Sequence, residues 1–382
     1  MIVEIHGGQF KNKGAQKMLL TVISRMKLIN KDIIFVVDPC VGSDKELQQY
    51  GIKKLSFSRK WMGGRTFLIR FQIQKVISYL KSIFPNYFHN IFTIGDIDLF
   101  VDIAGFAYSD KWGHKPGIHV SKLVSWYKKN EKKIVFLPQA FGPFSNKLLK
   151  EAMSITVSNA DLIYARDKTS LSYFTNFNHY NKVKISPDIT FAEKIDVKGS
   201  GKIKKFAIVP NARMLDSSDI FWKNNYVDYL EQIIIYSKSK GYNSKIIIHD
   251  ASGEDLKSIE KLQLDKNIEI LTISDPWDLK EELSSYDIVC GSRYHAIVAS
   301  LSSGIPCMAI GWAHKYTEIM DEFDLSNFIL YTGITMDEIK ALIDTLSVAT
   351  NHNQIKHSIQ KQVDIIDASI NAMWKEIEIT IS

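Results

Sequence analysis

The chain alternates short apolar runs with longer segments of helical periodicity, and this alternation most constrains its fold. Most runs are rich in Ile and Val and end at a polar residue, a glycine or a proline. The runs are Ile2–His6, Ile33–Asp38, Leu99–Ile103, Lys133–Pro138 and Leu162–Ala165, followed by Lys205–Val209, Lys245–His249, Ile268–Leu271, Ile288–Cys290 and Cys307–Ile310. Apolar strands that alternate with helices indicate an α/β protein whose parallel sheets are covered on both faces.

Two such series within 382 residues predict two Rossmann-like domains. We place the first at residues 1–196 and the second at residues 203–350, joined by the Gly/Ser/Lys-rich segment Val197–Lys202. Residues 353–379 predict a final helix. Ligands of such sheets bind outside the carboxyl ends of the strands, so we expect the site in a cleft between the domains, among residues that directly follow strands.

Charge and cysteine content exclude several classes of protein. The 48 basic and 42 acidic residues give a net charge of +6, and the basic residues are spread out, which argues against a nucleic-acid partner. The three cysteines lie far apart without zinc-ligand spacing, so we expect no metal site and a reducing, cytoplasmic environment. We expect no signal peptide, and no stretch of about 20 apolar residues could span a membrane.

Polar and small residues follow the first and third strands. The first strand runs into a glycine-containing turn with His6, Asn12 and Gly14, whose backbone N–H groups suit an anion or a sugar hydroxyl. The turn lacks the GxGxxG pattern, which argues against a nicotinamide cofactor, and a plain tight turn is the alternative. After the third strand, Asp102 and Gly105 lie where backbone can approach a ligand, although Asp102 could instead bind neighbouring backbone N–H groups.

Most basic residues of this chain are lysines, so we ask of each arginine whether it has a function that lysine could not perform. Arg166 follows a strand directly, precedes a helix with Asp167 as its predicted N-cap, and can bind a carboxylate or phosphate through two hydrogen bonds. An Arg166–Asp167 clasp is the structural alternative. Arg213 occupies the analogous place in the second domain, and Gln139 follows the strand before Arg166.

The most informative segment is the strand, Gly-Ser turn and helix start around Ser292, Arg293 and His295. It puts a cation and an imidazole at one helix N terminus, which already favours anions. Histidine exchanges a proton near pH 7, so His295 is a candidate acid, with a buried core histidine as the alternative. The loop after the next strand adds His314 and Lys315.

The order of these short motifs resembles that of the polysaccharide pyruvyl transferases, from residue 2 to about residue 320. The most specific blocks are Arg166-Asp167-x-x-Ser170 and Ser292-Arg293-x-His295. The others are Asn12-x-Gly14-Ala15, Gln139-x-x-Gly142-Pro143, Pro187-Asp188 and Gly304-x-Pro306. The family often has a run of glycines after the third strand, where this chain has only Gly105.

This resemblance implies two Rossmann-like domains facing a cleft, as in GT-B glycosyltransferases, with the last helix crossing back to the first domain. It implies transfer of pyruvate from phosphoenolpyruvate onto two hydroxyls of a sugar in a cell-surface polysaccharide precursor, such as a lipid-linked oligosaccharide. The product is a cyclic ketal and phosphate is released. Such chemistry needs an acid, a base and a cradle for a donor with about three negative charges, so we expect no metal and no cofactor.

The resemblance also suggests roles for the motif residues. The donor-binding candidates are Arg166, Arg293, Lys315, Arg213 and Ser292. The acceptor-binding candidates are Asn12, Gly14, Gln139, Gly105 and His6. His295 would be the general acid, and Asp102 or Asp188 the general base.

A basic amphipathic helix near residues 65–84 invites a second kind of contact. Its apolar face would carry Ile69, Ile73, Val76, Ile77, Leu80, Ile83 and Phe84, and its opposite face Phe67 and Phe71 among cations. Aromatic residues among cations are typical of helices at an anionic bilayer, which would place the protein peripherally at the inner face of the membrane. A surface helix docked on a neighbouring loop is the favoured alternative.

Two other functions stay open at this point. A GT-B glycosyltransferase or epimerase would bind a nucleotide sugar tightly, but no acidic residue is clearly placed near Arg293 to hold a ribose diol. A catalytically silent glycan-binding module would bind the acceptor without turnover.

Overall fold

The computed structural model describes residues 1–56, 76–77, 79–81, 83–84, 91–192, 205–249, 253–260, 262, 268–273, 275–311 and 314–381. These residues form two compact units. Unit 1 comprises Met1–Lys11, Met18–Ile189 and Ala372–Ser382, and unit 2 comprises Asn12–Lys17 and Thr190–Asn371. The predicted linker Val197–Lys202, the predicted boundaries at residues 196 and 203, and most of the predicted helix near residues 65–84 lie outside the described residues.

Unit 1 is built on a seven-stranded parallel sheet. Its strands are β1 (Ile2–His6), β2 (Ile34–Val37), β3 (Lys53–Lys54), β4 (Leu99–Asp102), β5 (Lys133–Gln139), β6 (Leu162–Ala165) and β7 (Val183–Ile185). Among the described residues, its helices are α1 (Lys13–Ile29), α2 (Asp44–Gln49), α3 (Lys115–Lys129), α4 (Lys147–Asn159) and α5 (Lys168–Ser172). The start of α1, through Lys17, belongs to unit 2. The sheet order is β3-β2-β1-β4-β5-β6-β7, so strand order reverses between β1 and β4.

Unit 2 repeats this plan with a six-stranded parallel sheet. Its strands are β8 (Lys205–Val209), β9 (Asn243–Ile248), β10 (Glu269–Thr272), β11 (Ile288–Gly291), β12 (Cys307–Ile310) and β13 (Ile329–Leu330). Its helices are α6 (Ile220–Ser239), α7 (Glu254–Ile259), α8 (Pro276–Ser284), α9 (Tyr294–Ser302), α10 (His314–Glu322) and α11 (Met336–Ser347). The order is β10-β9-β8-β11-β12-β13, with the reversal between β8 and β11.

The central strands of both sheets are mostly apolar because helices cover both faces. Every residue of β4, β6, β11 and β12 is buried. In unit 1 the core continues into aromatic side chains, among which Phe141 and Phe174 meet edge to face with ring centroids 4.9 Å apart. The predicted pair of Rossmann-like sheets is therefore confirmed.

The last helix, α12 (Ala349–Ile381), is longer than predicted at both ends. Its buried side chains recur every three or four residues, as expected for one apolar stripe: Ile359, Val363, Ile366, Ile370, Met373 and Ile377. The helix begins in unit 2, and its residues from Ala372 onward belong to unit 1. Within unit 1 Glu376 accepts a hydrogen bond from the Tyr164 hydroxyl and pairs with Lys184.

A close approach between two loops requires glycine after β1. Gly7 has a φ of +89°, and a Cβ atom there would lie 2.5 Å from the Cα of Ala104, in the loop after β4. The loops that follow the two central strands of unit 1 are therefore in backbone contact, which only a residue without a side chain permits.

We expect Gly7→Ala to lower the free energy of unfolding by roughly 2–5 kcal/mol. About 1–2 kcal/mol comes from the left-handed backbone, and about 1–3 kcal/mol from overpacking. Gly51→Ala is the matched control, because Gly51 has a φ of +69° but no atom within 4 Å of the added Cβ. Denaturant titration of both variants measures the difference, and equal losses would contradict the close approach.

Candidate functional site

The strand-order reversal of unit 1 carries a buried polar network. Asp102, at the end of β4, accepts hydrogen bonds from the Tyr108 hydroxyl (2.7 Å), from Nε2 of Gln139 (2.8 Å) and from the Ala104 N–H (3.1 Å). Nε2 of His6, at the end of β1, lies 3.9 Å from the same carboxylate. The structure thus brings together the predicted residues His6, Asp102 and Gln139 at the carboxyl ends of neighbouring strands.

Asp102 itself has no exposed surface. Burial raises the pKa of Asp102 to about 6 against the opposing effect of hydrogen bonds from Tyr108 and Gln139, and the nearby Glu4 raises it further. The Oε1 atom of Gln139 is buried and has no hydrogen-bond partner among the described residues. This network therefore contains a hydrogen-bond acceptor, Oε1 of Gln139, and a carboxyl group that changes charge close to neutral pH.

Gly105 and Arg166 extend this region of unit 1. The carbonyl of Gly105 accepts a hydrogen bond from the Ala140 N–H, which ties the loop after β4 to the end of β5. Nη1 of Arg166 donates to Asp188 at 3.0 Å, and both side chains are buried. Asp167 caps α5 by accepting from the Ser170 N–H, as predicted. Arg166 thus pairs with Asp188, which the family resemblance suggested as a candidate general base.

The strand-order reversal of unit 2 presents the Ser292-Arg293-x-His295 turn. The Ser292 carbonyl accepts hydrogen bonds from Nδ2 of Asn211 (2.9 Å) and from the Tyr316 hydroxyl (2.7 Å). Its side-chain hydroxyl is paired with the Tyr226 hydroxyl at 2.5 Å. Ser292 is therefore a fully buried anchor that fixes the turn leading into α9.

Arg293, the N-cap residue of α9, is held by a fully buried carboxylate. Its Nε donates to Oδ2 of Asp255 at 2.9 Å and its Nη2 donates to Oδ1 at 2.5 Å, a bidentate geometry that lysine could not reproduce. Asp255 also accepts from the Ala212 N–H at 2.8 Å. The Arg293 side chain keeps 28% of its surface exposed, so the guanidinium is oriented but still accessible.

His295 and the first turn of α1 meet within unit 2. A Cβ atom on Gly14 would lie 2.2 Å from Nδ1 and Cε1 of His295, so the imidazole rests directly on the glycine backbone. Asn12 caps this turn, because its Oδ1 accepts from the N–H groups of Gly14 (3.0 Å) and Ala15 (3.4 Å). The predicted acceptor residues Asn12 and Gly14 thus lie beside the predicted acid.

A further histidine, His249, belongs to this group. It follows β9 directly and is 7% exposed. The pKa of His249 is lowered well below its usual range, chiefly by burial and then by the charges of Arg293, His295, Lys17 and Lys13. Three fixed cations and two imidazoles therefore act on one another at this end of the sheet, with Asp255 as the carboxylate bound to Arg293.

The remaining predicted donor residues, Lys315 and Arg213, contact other side chains of unit 2. Nζ of Lys315 sits over the rings of Tyr294 and Tyr316, 5.0 Å and 5.4 Å from their centroids. Arg213 is largely exposed and lies 3.9 Å from Glu254. His314 is the first residue of α10.

Sequence reasoning missed His249, Asp255, Lys13 and Lys17 as site residues. His249 ends a predicted strand, and that position was the available signal. Lys13 is the first residue of α1, where the helix dipole disfavours cations, and Lys17 follows one turn later; a cation at that helix start was a second signal. Asp255 lies in a short helix whose packing under Arg293 no local pattern reveals.

We expect the stability of unit 1 to fall as pH rises from about 4 to about 6 because of Asp102. Its folded-state pKa of about 6 exceeds the ordinary 3.8, so the folded state binds more protons than the unfolded state in this window. The full effect is on the order of 3 kcal/mol. Asp102→Asn should abolish this dependence of the unfolding free energy on pH, even if the substitution also changes the unfolding free energy by a constant amount.

Calorimetric melting of wild type and Asp102→Asn between pH 4 and 7.5 measures the slope. Asp110→Asn is the control of opposite sign, because backbone hydrogen bonds from Asn146 and Ser145 outweigh burial and lower the pKa of Asp110. Parallel curves for wild type and Asp102→Asn would contradict the raised pKa.

Solved structures with a similar fold include a protein solved with UDP and glucose and two UDP-GlcNAc 2-epimerases. HepE of Anabaena, solved with UDP and glucose, has a TM-score of 0.60 at 14% identity and matches 100% of this chain and 98% of its own. UDP-GlcNAc 2-epimerases of Neisseria meningitidis and Methanocaldococcus jannaschii have TM-scores of 0.57 and 0.55 at 12% and 13% identity. These two matches cover 100% and 92% of this chain, and 99% and 94% of the respective epimerases. The similarity establishes a GT-B-like fold with two Rossmann-like domains.

The family comparison is more specific. No curated protein sequence matches the chain. No helix among the described residues is long and apolar enough to cross a bilayer. The model of the polysaccharide pyruvyl transferase family matches residues 12–314, a span that contains the described cation and histidine group of unit 2. This chain is therefore an enzyme of the polysaccharide pyruvyl transferase family.

Proposed function

We propose that this enzyme transfers pyruvate from phosphoenolpyruvate onto two hydroxyls of one sugar in a polysaccharide precursor. The product is a cyclic ketal, and phosphate is released. Family membership supports the class of reaction. The observation that carries the choice of donor is the group of positive charges of Arg293, Lys17 and Lys13 that act on His249 in unit 2.

The charges of this group match those of the proposed donor. Phosphoenolpyruvate carries about three negative charges near pH 7, which at close range are balanced by a similar number of fixed cations. Lys17 is buried, so its charge acts in a medium that screens it less than water does. Arg293 is oriented by Asp255 and can meet a carboxylate or phosphate with its accessible edge. Lys315 is proposed as a further cationic contact.

Two predicted donor arginines fit this role less well. Arg166 is committed to Asp188 in unit 1, and Arg213 is exposed beside Glu254. We therefore assign donor binding to Arg293 with Lys13 and Lys17. In the proposal, Arg166 orients the loop after β6 through its ion pair.

His295 is proposed as the acid that protonates the methylene carbon of the donor. Protonation creates a positive centre at C2. A first sugar hydroxyl attacks C2, and the proton of that hydroxyl passes to His295. Phosphate then leaves, and a second hydroxyl closes the ketal. The contact with Gly14 keeps the imidazole in one place, as an acid acting on a carbon atom requires. The reaction as proposed calls for no metal and no cofactor.

The acceptor sugar is proposed to bind the polar network of unit 1. Oε1 of Gln139 is a buried acceptor without a hydrogen-bond partner among the described residues, and a Cβ atom on Gly105 would meet no atom within 4 Å, so this loop is proposed to admit a sugar hydroxyl. Asp102 is fully buried, so it is proposed to orient His6, whose side chain is 20% exposed, toward the sugar and not to take a hydroxyl proton itself. Asp102 is in that case a positioning residue.

A lipid-linked acceptor and peripheral contact with a membrane complete the proposal. In the part of the predicted amphipathic helix that the structure describes, Val76, Tyr79, Ile83 and Phe84 are exposed. Exposed apolar and aromatic side chains on one helix favour a bilayer surface. Flotation with anionic vesicles tests this: Val76→Glu/Ile83→Glu should reduce the bound fraction severalfold, and an unchanged fraction would exclude the contact.

The decisive test incubates the enzyme with phosphoenolpyruvate and a panel of lipid-linked and free glycans. Release of phosphate must depend on the acceptor, and mass spectrometry must show a glycan that has gained pyruvate without gaining phosphate. The alternative function is that of a nucleotide-sugar enzyme, because HepE and the epimerases share the fold. Such an enzyme would bind UDP tightly in a thermal-shift panel. No turnover with any acceptor would contradict the proposal.

We expect His295→Ala to reduce kcat by ~100- to 10,000-fold while the Kd of phosphoenolpyruvate stays within roughly tenfold. The reason is that His295 supplies a proton rather than a fixed charge. Stopped-assay turnover and calorimetric titration separate the two effects. Near-normal turnover would remove His295 from the role of acid.

Arg293→Lys tests the oriented guanidinium. Lysine cannot make the bidentate contact with Asp255, so we expect the Kd of phosphoenolpyruvate to rise by roughly 10-fold or more, corresponding to about 1.4 kcal/mol. Arg213→Lys is the matched control at a largely exposed arginine and should bind the donor like wild type. Equal affinities of the two variants would contradict the assignment of Arg293.

A further inference from the structure

His249 is a buried histidine with an unused nitrogen. Its Nδ1 has no hydrogen-bond partner among the described residues, and 7% of the residue is exposed. A buried polar atom without a partner costs free energy, so such positions call for an explanation. His352 shares both features but lies in α12, away from the strand ends.

The surroundings of His249 distinguish it from His352. His249 follows β9, beside β8, and the next strand across the sheet is β11, which leads into Arg293. The charged and titratable groups that act on it are Arg293, His295, Lys17 and Lys13, with Asp255 bound to Arg293. Burial, and then the charges of these neighbours, lower the pKa of His249 and keep its imidazole neutral.

A bound phosphate would reverse this balance. Its two negative charges favour the protonated imidazole, so donor binding would draw a proton onto His249. The histidine would then be a charged donor beside the phosphate only while the substrate is present. A resting site that stays neutral at His249 also avoids a further positive charge among three fixed cations.

The proposed reaction needs a second proton at the phosphate. Phosphoenolpyruvate and a diol give a ketal and hydrogen phosphate, so one proton ends on the methyl carbon and one on the departing phosphate. His295 supplies the first and recovers it from the first hydroxyl. The second must reach the bridging oxygen as its bond to C2 breaks.

We propose that His249 is the acid that protonates the leaving phosphate. The C2–O bond breaks, its electron pair passes to the bridging oxygen, and the proton of His249 neutralises the charge that develops there. The second acceptor hydroxyl then attacks C2, and its proton returns to His249. This inference rests on the proposed function and assigns separate acids to the carbon and to the oxygen.

Proton uptake on donor binding tests the inference without turnover. Calorimetric titration of phosphoenolpyruvate at pH 7.5, in buffers of different ionisation enthalpy, counts the protons bound. We expect net uptake by wild type, and about one proton less in His249→Gln. The matched control His352→Gln should behave like wild type, because His352 lies outside the group. No uptake by wild type, or unchanged uptake in His249→Gln, would overturn the inference.

Turnover supplies the second readout. We expect His249→Gln and His249→Asn to lower kcat by ~100- to 10,000-fold, with the Kd of phosphoenolpyruvate within roughly tenfold and unfolding curves close to that of wild type. A role in packing alone would instead change the unfolding curve and leave kcat of the folded fraction intact. Turnover within threefold of wild type would overturn the inference. If wild type forms no ketal at all, the proposed function fails, whereas the proton count still reports on His249.

Discussion

The reversal of strand order in each parallel sheet is the constraint from which the candidate site follows. At a reversal, the loops after two adjacent strands diverge to opposite faces and leave room at the carboxyl ends. In unit 1 these strands end at His6 and Asp102, and in unit 2 they lead into Asn211 and Ser292. Polar residues that would be costly elsewhere in a buried sheet edge are therefore concentrated where a ligand can reach them.

The two reversals are equipped for different tasks. The network of unit 1 is organised around one carboxyl group whose hydrogen bonds come from neutral donors, Tyr108 and Gln139. The group in unit 2 is dominated by cations, and the carboxylate of Asp255 is already engaged by Arg293. Neutral donors around a carboxyl group are suited to sugar hydroxyls and a cationic group to an anion, and this difference supports the division of acceptor and donor between the units.

Much of this could be predicted from the sequence, and the parts that could not share a cause. The strands Ile2–His6, Leu162–Ala165, Lys205–Val209 and Cys307–Ile310 were predicted to the residue, because buried parallel strands form continuous apolar runs. The edge strands β3, β7 and β13 were missed, since two or three residues carry no pattern. Arg293 and His295 were visible as a turn after a strand. Asp255 was not, because its partner lies 38 residues away and only packing joins them.

The rarity of arginine takes on a different meaning in the structure. We expected each arginine after a strand to bind the donor directly. In the structure, Arg166 and Arg293 also each pair with a buried carboxylate, Asp188 and Asp255, and lysines supply additional positive charge in unit 2. A planar guanidinium can bind one carboxylate with some of its N–H groups and still donate from the others to a ligand. An ammonium group is a compact charge without such separate edges. In a chain that otherwise uses lysine, arginine is therefore kept where orientation matters, and it indicates a fixed geometry before it indicates a ligand.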